Sequence, residues 1–181
     1  VSSPTPAVSL GFLTILSETG SHLGGYLVTN AWGRPLEFRL SSAVQPNRVQ
    51  QILYGPTLGI YLSADLIGKT LVEKTSTAAT LILTDSREAL DLRRSVETPV
   101  AWVAPAGNPE AARLAAAGLA VRDAGPGRGP VLAHPDFAGD VTACVELFRQ
   151  IGSLDLAEPF QRIREAIVEA RKMGVTQRAA S

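Results

Sequence analysis

Cysteine, methionine and histidine are nearly missing from this chain. Its 181 residues include one cysteine, one methionine and two histidines. A single cysteine, Cys144, excludes an internal disulfide framework and any zinc site built on paired thiolates. His22 and His134 lie far apart, with no partner at a metal-ligand spacing, so no zinc site is expected. Excess charge is absent as well: 17 basic and 17 acidic side chains give a formal net charge of zero. Nucleic-acid binders draw affinity from phosphate neutralisation and usually carry a basic excess. Nucleic acid is therefore not expected as a partner. Long apolar runs are missing too. "VSLGFLTIL" near the start is too short to span a bilayer, and the uncharged "VSSPTPAV" lacks the layout of a secretory signal. The expectation is a cytoplasmic protein without membrane association.

What is present is enough chain for one domain of ordinary size with a core of its own. Residues 1–7 are Ser/Pro-rich and read as a loose tail. "LGFLTILSE" (10–18) reads as a strand. "GGYLVTNAWGRPLEFRLSS" (24–42) reads as a hairpin turning at "AWGR". Leu36, Phe38 and Leu40 alternate with Glu37 and Arg39, the pattern of a strand with one wet face. After Pro46 the period changes, and Val49, Ile52 and Leu53 are spaced as in a helix. Gly55 and Pro56 interrupt it before a second helical run over 57–74. "TLILT" (80–84) and "PVAWVAP" (99–105) read as strands buried on both faces, with a short helix between them. An Ala-rich helix from Asn108 stops at Gly118, and "VLAHP" is a last short strand. Helices over 140–151 and 158–174 close the chain, the second after Asp155 with Glu158 at capping-box spacing.

The expected fold class is α/β. A mixed sheet opens with an antiparallel three-stranded meander, and β-α-β units follow with helices packed on the sheet. The order β-β-β-α-β-α-β resembles the ribonuclease H-like fold over about residues 10–104. "GGYLV" on the second strand, "NRVQQI" on the first helix and "LILTDSREAL" on the fourth strand carry the likeness. That resemblance implies a nuclease whose carboxylates converge on two divalent ions, which clamp the attacking and leaving oxygens of a phosphodiester. Asp85 matches the acid ending the fourth strand. Glu18 lies just past the first strand, Gln50 stands where a glutamate is implied, and a late acid would be Asp136 or Asp140. With Gln50 in place of an acid, the resemblance implies a divergent relative with a degenerate metal site.

Other readings compete at each position. Asp85 followed by Glu88 has capping-box spacing, so the acid is also expected to cap the next helix. "GKT" (68–70) lacks the glycine that a P-loop needs, since Ser63 stands there. "AGPGRGP" (124–130) reads as a surface turn, and His22 near Glu18 as a solvated loop histidine. Cys144 shares a helix face with Val141, Val145 and Phe148 and reads as core. In the last helix Phe160, Ile163, Ile167 and Ala170 form an apolar seam that packs on the domain or meets a partner. Tyr54 and Tyr61, beside a Gly-Pro break, mark a second candidate contact.

Together these features predict a flexible tail (1–7), an α/β domain (8–154) and a C-terminal amphipathic helix with tail (155–181). The leading functional expectation is a non-catalytic domain that binds a protein partner or its own copy, through Phe160, Ile163, Ile167, Tyr54 and Tyr61. No cofactor is expected on that reading. A metal-dependent nuclease is the second reading, with Asp85, Glu18, Asp136 and Asp140 as catalytic candidates. Asp85 and Glu18 would be its metal ligands, and Mg²⁺ or Mn²⁺ its cofactor. A small-ligand or nucleotide sensor is the third.

Overall fold

The computed structural model describes residues 8–174; the predicted tail at 1–7 lies outside them. The chain opens with a meander of β1 (Ser9–Glu18), β2 (Ser21–Asn30) and β3 (Pro35–Leu40). β4 (Leu81–Thr84) runs parallel to β1, and β5 (Val100–Val103) parallel to β4. β6 (Val121–Asp123) and β7 (Pro130–Ala133) complete a seven-stranded sheet in the order β3-β2-β1-β4-β5-β7-β6. This mixed sheet with helices on both faces is the α/β architecture expected.

The central strands are apolar on both sides because both faces are covered. Leu10, Phe12, Leu81, Leu83, Ala101 and Val131 point to one face. There α5 (Asp140–Gln150) and α6 (Ala157–Lys172) pack. Leu13, Tyr26, Ile82, Val100, Trp102 and Leu132 point to the other. On that side lies a continuous helix made of α2 (Leu58–Ile60), a π-helical stretch (Tyr61–Gly68) and α3 (Lys69–Lys74). The 3₁₀ helix Arg87–Arg94 and α4 (Pro109–Ala116) cover the rest of that face.

Gly24 and Gly25, adjacent on β2, let helices approach from both faces. A Cβ on Gly24 would meet Ile67 of the π-helical stretch, and one on Gly25 would meet Ile163 of α6. Strand alternation aims the two positions at opposite layers. α6 is thereby seated on the sheet, and Phe160 meets Phe12 edge to face with ring centroids 5.4 Å apart.

The apolar seam expected as a contact surface is core instead. Phe160, Ile163 and Ile167 are buried against β1 and β2, because the terminal helix covers a sheet face that would otherwise stand in water. Tyr54 and Tyr61 are half-buried and stack on each other at 4.1 Å. α1 (Arg48–Tyr54) has no buried residue, so the helical spacing of Val49, Ile52 and Leu53 points them outward. Cys144 is fully buried as expected, and burial pushes its thiol pKa up to about 12. Among the described residues no helix is long and apolar enough to cross a membrane.

Candidate functional site

β4 delivers Asp85 just past its carboxyl end, on the face covered by α6, since Leu81 and Leu83 alternate with it on that side. Asp85 does not cap the helix that follows. The N-cap position is Ser86, no side chain caps that helix end, and Glu88 lies against Gly59. The carboxylate of Asp85 instead accepts from the Arg164 guanidinium of α6 and, at 3.3 Å, from the Thr14 hydroxyl of β1. Both donors converge on Oδ2. Tertiary pairing has overridden the local capping pattern, because an arginine offers a charged partner that backbone N–H groups cannot match.

The pair opens on a cleft of about 240 Å³ walled by Val103, Ala104, Phe160 and the glycine-rich turn at Gly127. Asp85's side chain is 15% exposed and that of Arg164 46%. Burial pushes the Asp85 carboxyl pKa above its ordinary range, and the Arg164 guanidinium offsets only part of this. Arg128 also lines the cleft. It donates to the carbonyls of Phe148 at 2.9 Å and Leu154 at 3.1 Å, so it holds the glycine-rich turn against the end of α5. Two arginines and one carboxylate thus line this cleft, with Arg164 paired to Asp85 and Arg128 turned to the carbonyls.

The other acids named from the sequence do not join Asp85. Glu18 lies four residues beyond Thr14, roughly 13 Å along the strand, and accepts from Arg171. Asp140 takes Arg93 at 2.6 Å and faces the Val100 amide, at the amino end of β5 and so at the opposite end of the parallel strands. Asp136 pairs with Arg94 at 2.6 Å at that same end. Gln50 accepts from the Asn47 amide in a capping box that starts α1. His22 bonds Ser17 at 2.8 Å rather than Glu18. Among the described residues no three His, Cys, Asp or Glu side chains gather to hold a metal ion. A two-ion site needs several carboxylates around ions about 4 Å apart. The residues present do not fit such a pair.

The sequence reading missed Thr14 and Arg164, and it took the turn that carries Arg128 for a surface turn. It also missed a second polar cluster, on the opposite face, in a cleft of about 400 Å³ bordered by Arg87, Glu88, Asp91 and His134. There His134 Nε2 lies 3.0 Å from Asp91, and Nδ1 accepts from the Asp136 amide at 3.1 Å. Both ring nitrogens are satisfied internally, and the pair ties the loop after β7 to the 3₁₀ helix.

The sheet order and the helix layers define a ribonuclease H-like α/β protein. No protein-family model and no curated protein matches the chain in sequence. Solved structures do match in shape. Endonuclease V from Streptomyces avermitilis superposes with a TM-score of 0.57 at 14% identity, covering 95% of this chain and 85% of that one. Ciona intestinalis Endonuclease V, bound to a DNA that contains an inosine followed by a ribo-adenosine, gives 0.50 at 11%, covering 94% and 88%. A protein of unknown function from Archaeoglobus fulgidus gives 0.53 at 11%, covering 91% and 97%.

Two expectations are corrected here. The non-catalytic, protein-binding reading gives way, because the structures of like shape include endonucleases and the helix offered as the contact is buried in the core. The dismissal of nucleic acid from net charge gives way too. One of those endonucleases holds DNA, and a balanced total conceals an arginine excess at the Asp85 cleft.

Proposed function

We propose that this chain acts on nucleic acid as a nuclease, with the reacting phosphodiester at the cleft between Asp85 and Arg164. The observation that carries the proposal is the pairing of Asp85, at the carboxyl end of β4, with Arg164 beside an open cleft. Ligands of open α/β sheets favour that end of the strands. The likeness in shape to Endonuclease V structures supports the choice of substrate class.

The chemistry follows from the residues. The Arg164 guanidinium presents N–H donors that match phosphate oxygens and neutralises the charge growing on them as the bond breaks. A phosphate on Arg164 loosens its hold on Asp85. The freed carboxylate, its pKa raised by burial toward the range suited to base catalysis, accepts a proton from the attacking water. Thr14 keeps Oδ2 oriented through its hydroxyl. The leaving oxygen takes its proton from solvent.

The test is a panel of end-labelled oligonucleotides: single- and double-stranded DNA, RNA, and DNA carrying one inosine. Each is incubated with the protein in Mg²⁺, in Mn²⁺ and in EDTA and resolved on a denaturing gel. Discrete cleavage of at least one substrate is expected. Intact substrates throughout, with no retarded complex on a native gel, would remove the proposal.

A further inference from the structure

We infer that Arg164 is the resident cation of the Asp85 site, standing where a divalent ion would stand, so that this chain grips a phosphodiester without a metal. The inference rests on the nucleic-acid reading above and goes beyond it by naming what replaces the metal.

Four observations converge. Arg164 and Thr14 both donate to Oδ2 of Asp85, so one oxygen of the lone carboxylate is already taken by a charged partner. Among the described residues no second carboxylate lines the cleft, while Glu18, Asp136 and Asp140 are engaged by Arg171, Arg94 and Arg93 elsewhere. The lone carboxylate is already matched by the Arg164 guanidinium, so little negative charge is left to draw a dication, while the half-exposed fork is open to a phosphate. The cation is also held in place. Ile163 and Ile167, flanking Arg164 on α6, are buried, and Ile163 closes on Gly25.

The guanidinium is suited to both tasks. It has five N–H donors in a planar fork and stays charged at any working pH. Among the described residues its recorded hydrogen bond goes to Asp85 alone, and nearly half of the side chain is exposed to the cleft. The remaining donors are free for phosphate oxygens. A divalent ion entering this site would have to expel a tethered cation from its partner, whereas a phosphate is drawn to that same cation.

The test is thermal unfolding of wild type and Arg164→Glu with and without millimolar MnCl₂ or MgCl₂. It is joined by fluorescence anisotropy of a labelled single-stranded oligonucleotide at constant ionic strength in EDTA or Mg²⁺. Wild type is expected to show no metal-dependent shift in Tm and equal oligonucleotide affinity in the two buffers. Arg164→Glu sets a second carboxylate beside Asp85, so it should gain a Mn²⁺-dependent rise in Tm and lose about tenfold or more in oligonucleotide affinity. A Mn²⁺-dependent rise in wild type that Asp85→Asn abolishes would overturn the inference. So would oligonucleotide binding that EDTA destroys, or a folded Arg164→Glu that gains no metal response. If wild type binds no oligonucleotide in any buffer, the nucleic-acid reading falls, while the metal titration still decides whether Arg164 excludes the ion. Should Arg164→Glu not fold, the wild-type measurements decide alone.

Discussion

Arg164 and Asp85, 79 residues apart in sequence, meet as an ion pair between α6 and the end of β4. The pair joins the last helix to the centre of the sheet at the rim of a cleft. A carboxylate held there above its ordinary pKa costs the fold stability at neutral pH.

Asp85→Asn should therefore stabilise the protein at neutral pH. A carboxyl whose folded pKa lies above its unfolded one contributes stability that is complete below the unfolded value, near 3.9, and is lost as pH rises through the folded value. Wild type loses that contribution on going from acid to neutral pH, and the amide does not. At pH 7.5 the Asn variant is expected to melt above wild type. The gap should close near pH 3.5. Melting curves of the two proteins from pH 3.5 to 8 check it.

Glu37 should behave in the opposite sense. The Thr77 and Ser76 amides and then Arg39 hold its carboxyl at a pKa of about 2, tying β3 to the loop before β4. A depressed folded pKa contributes stability above the unfolded value that is lost as pH falls through the folded one. Glu37→Gln should melt below wild type at pH 7, with the difference shrinking between pH 4 and pH 2.

Asp140, a catalytic candidate in the sequence, should prove structural. Its pair with Arg93 is mostly buried, at 12% and 17% side-chain exposure, and Arg93 also lies 4.2 Å from the Phe137 ring centroid. Asp140→Ala leaves a guanidinium without its partner and should cost about 2–3 kcal/mol. Oligonucleotide affinity, measured well below the melting temperature, should stay at the wild-type value.

Gly25→Ala should disturb both fold and site. The added methyl meets Ile163, so α6 must lift from β2 at a cost of about 1–3 kcal/mol. The lift also moves Arg164 relative to Asp85, so oligonucleotide affinity should fall. Gly24→Ala meets Ile67 on the other face. It should cost similar stability while sparing affinity, and comparing the two variants separates the layers.

Much of the fold was legible because its signals are local. The alternation in "LEFRL" and the apolar runs of β4 and β5 reported strands directly, although Leu36 and Phe38 on β3 stand exposed. The site was not legible, because its defining contact is not local. Asp85 followed by Glu88 carries a helix-cap pattern, yet Arg164 takes the carboxylate. The seam of Phe160, Ile163 and Ile167 fits an external partner as well as the protein's own sheet, and only Gly24-Gly25 hinted at how close a helix would come. The charge total missed the cleft because Arg128 and Arg164 gather there while most acids pair elsewhere.

The most direct measurement is the single-turnover cleavage rate of the best oligonucleotide substrate by wild type and Asp85→Asn under identical conditions. If Asp85 is the group that takes the proton, the variant should remain folded, bind the oligonucleotide and cleave about 100-fold or more slowly. Equal rates for the two proteins would contradict a catalytic role for Asp85, and with it the placement of the reaction at this cleft.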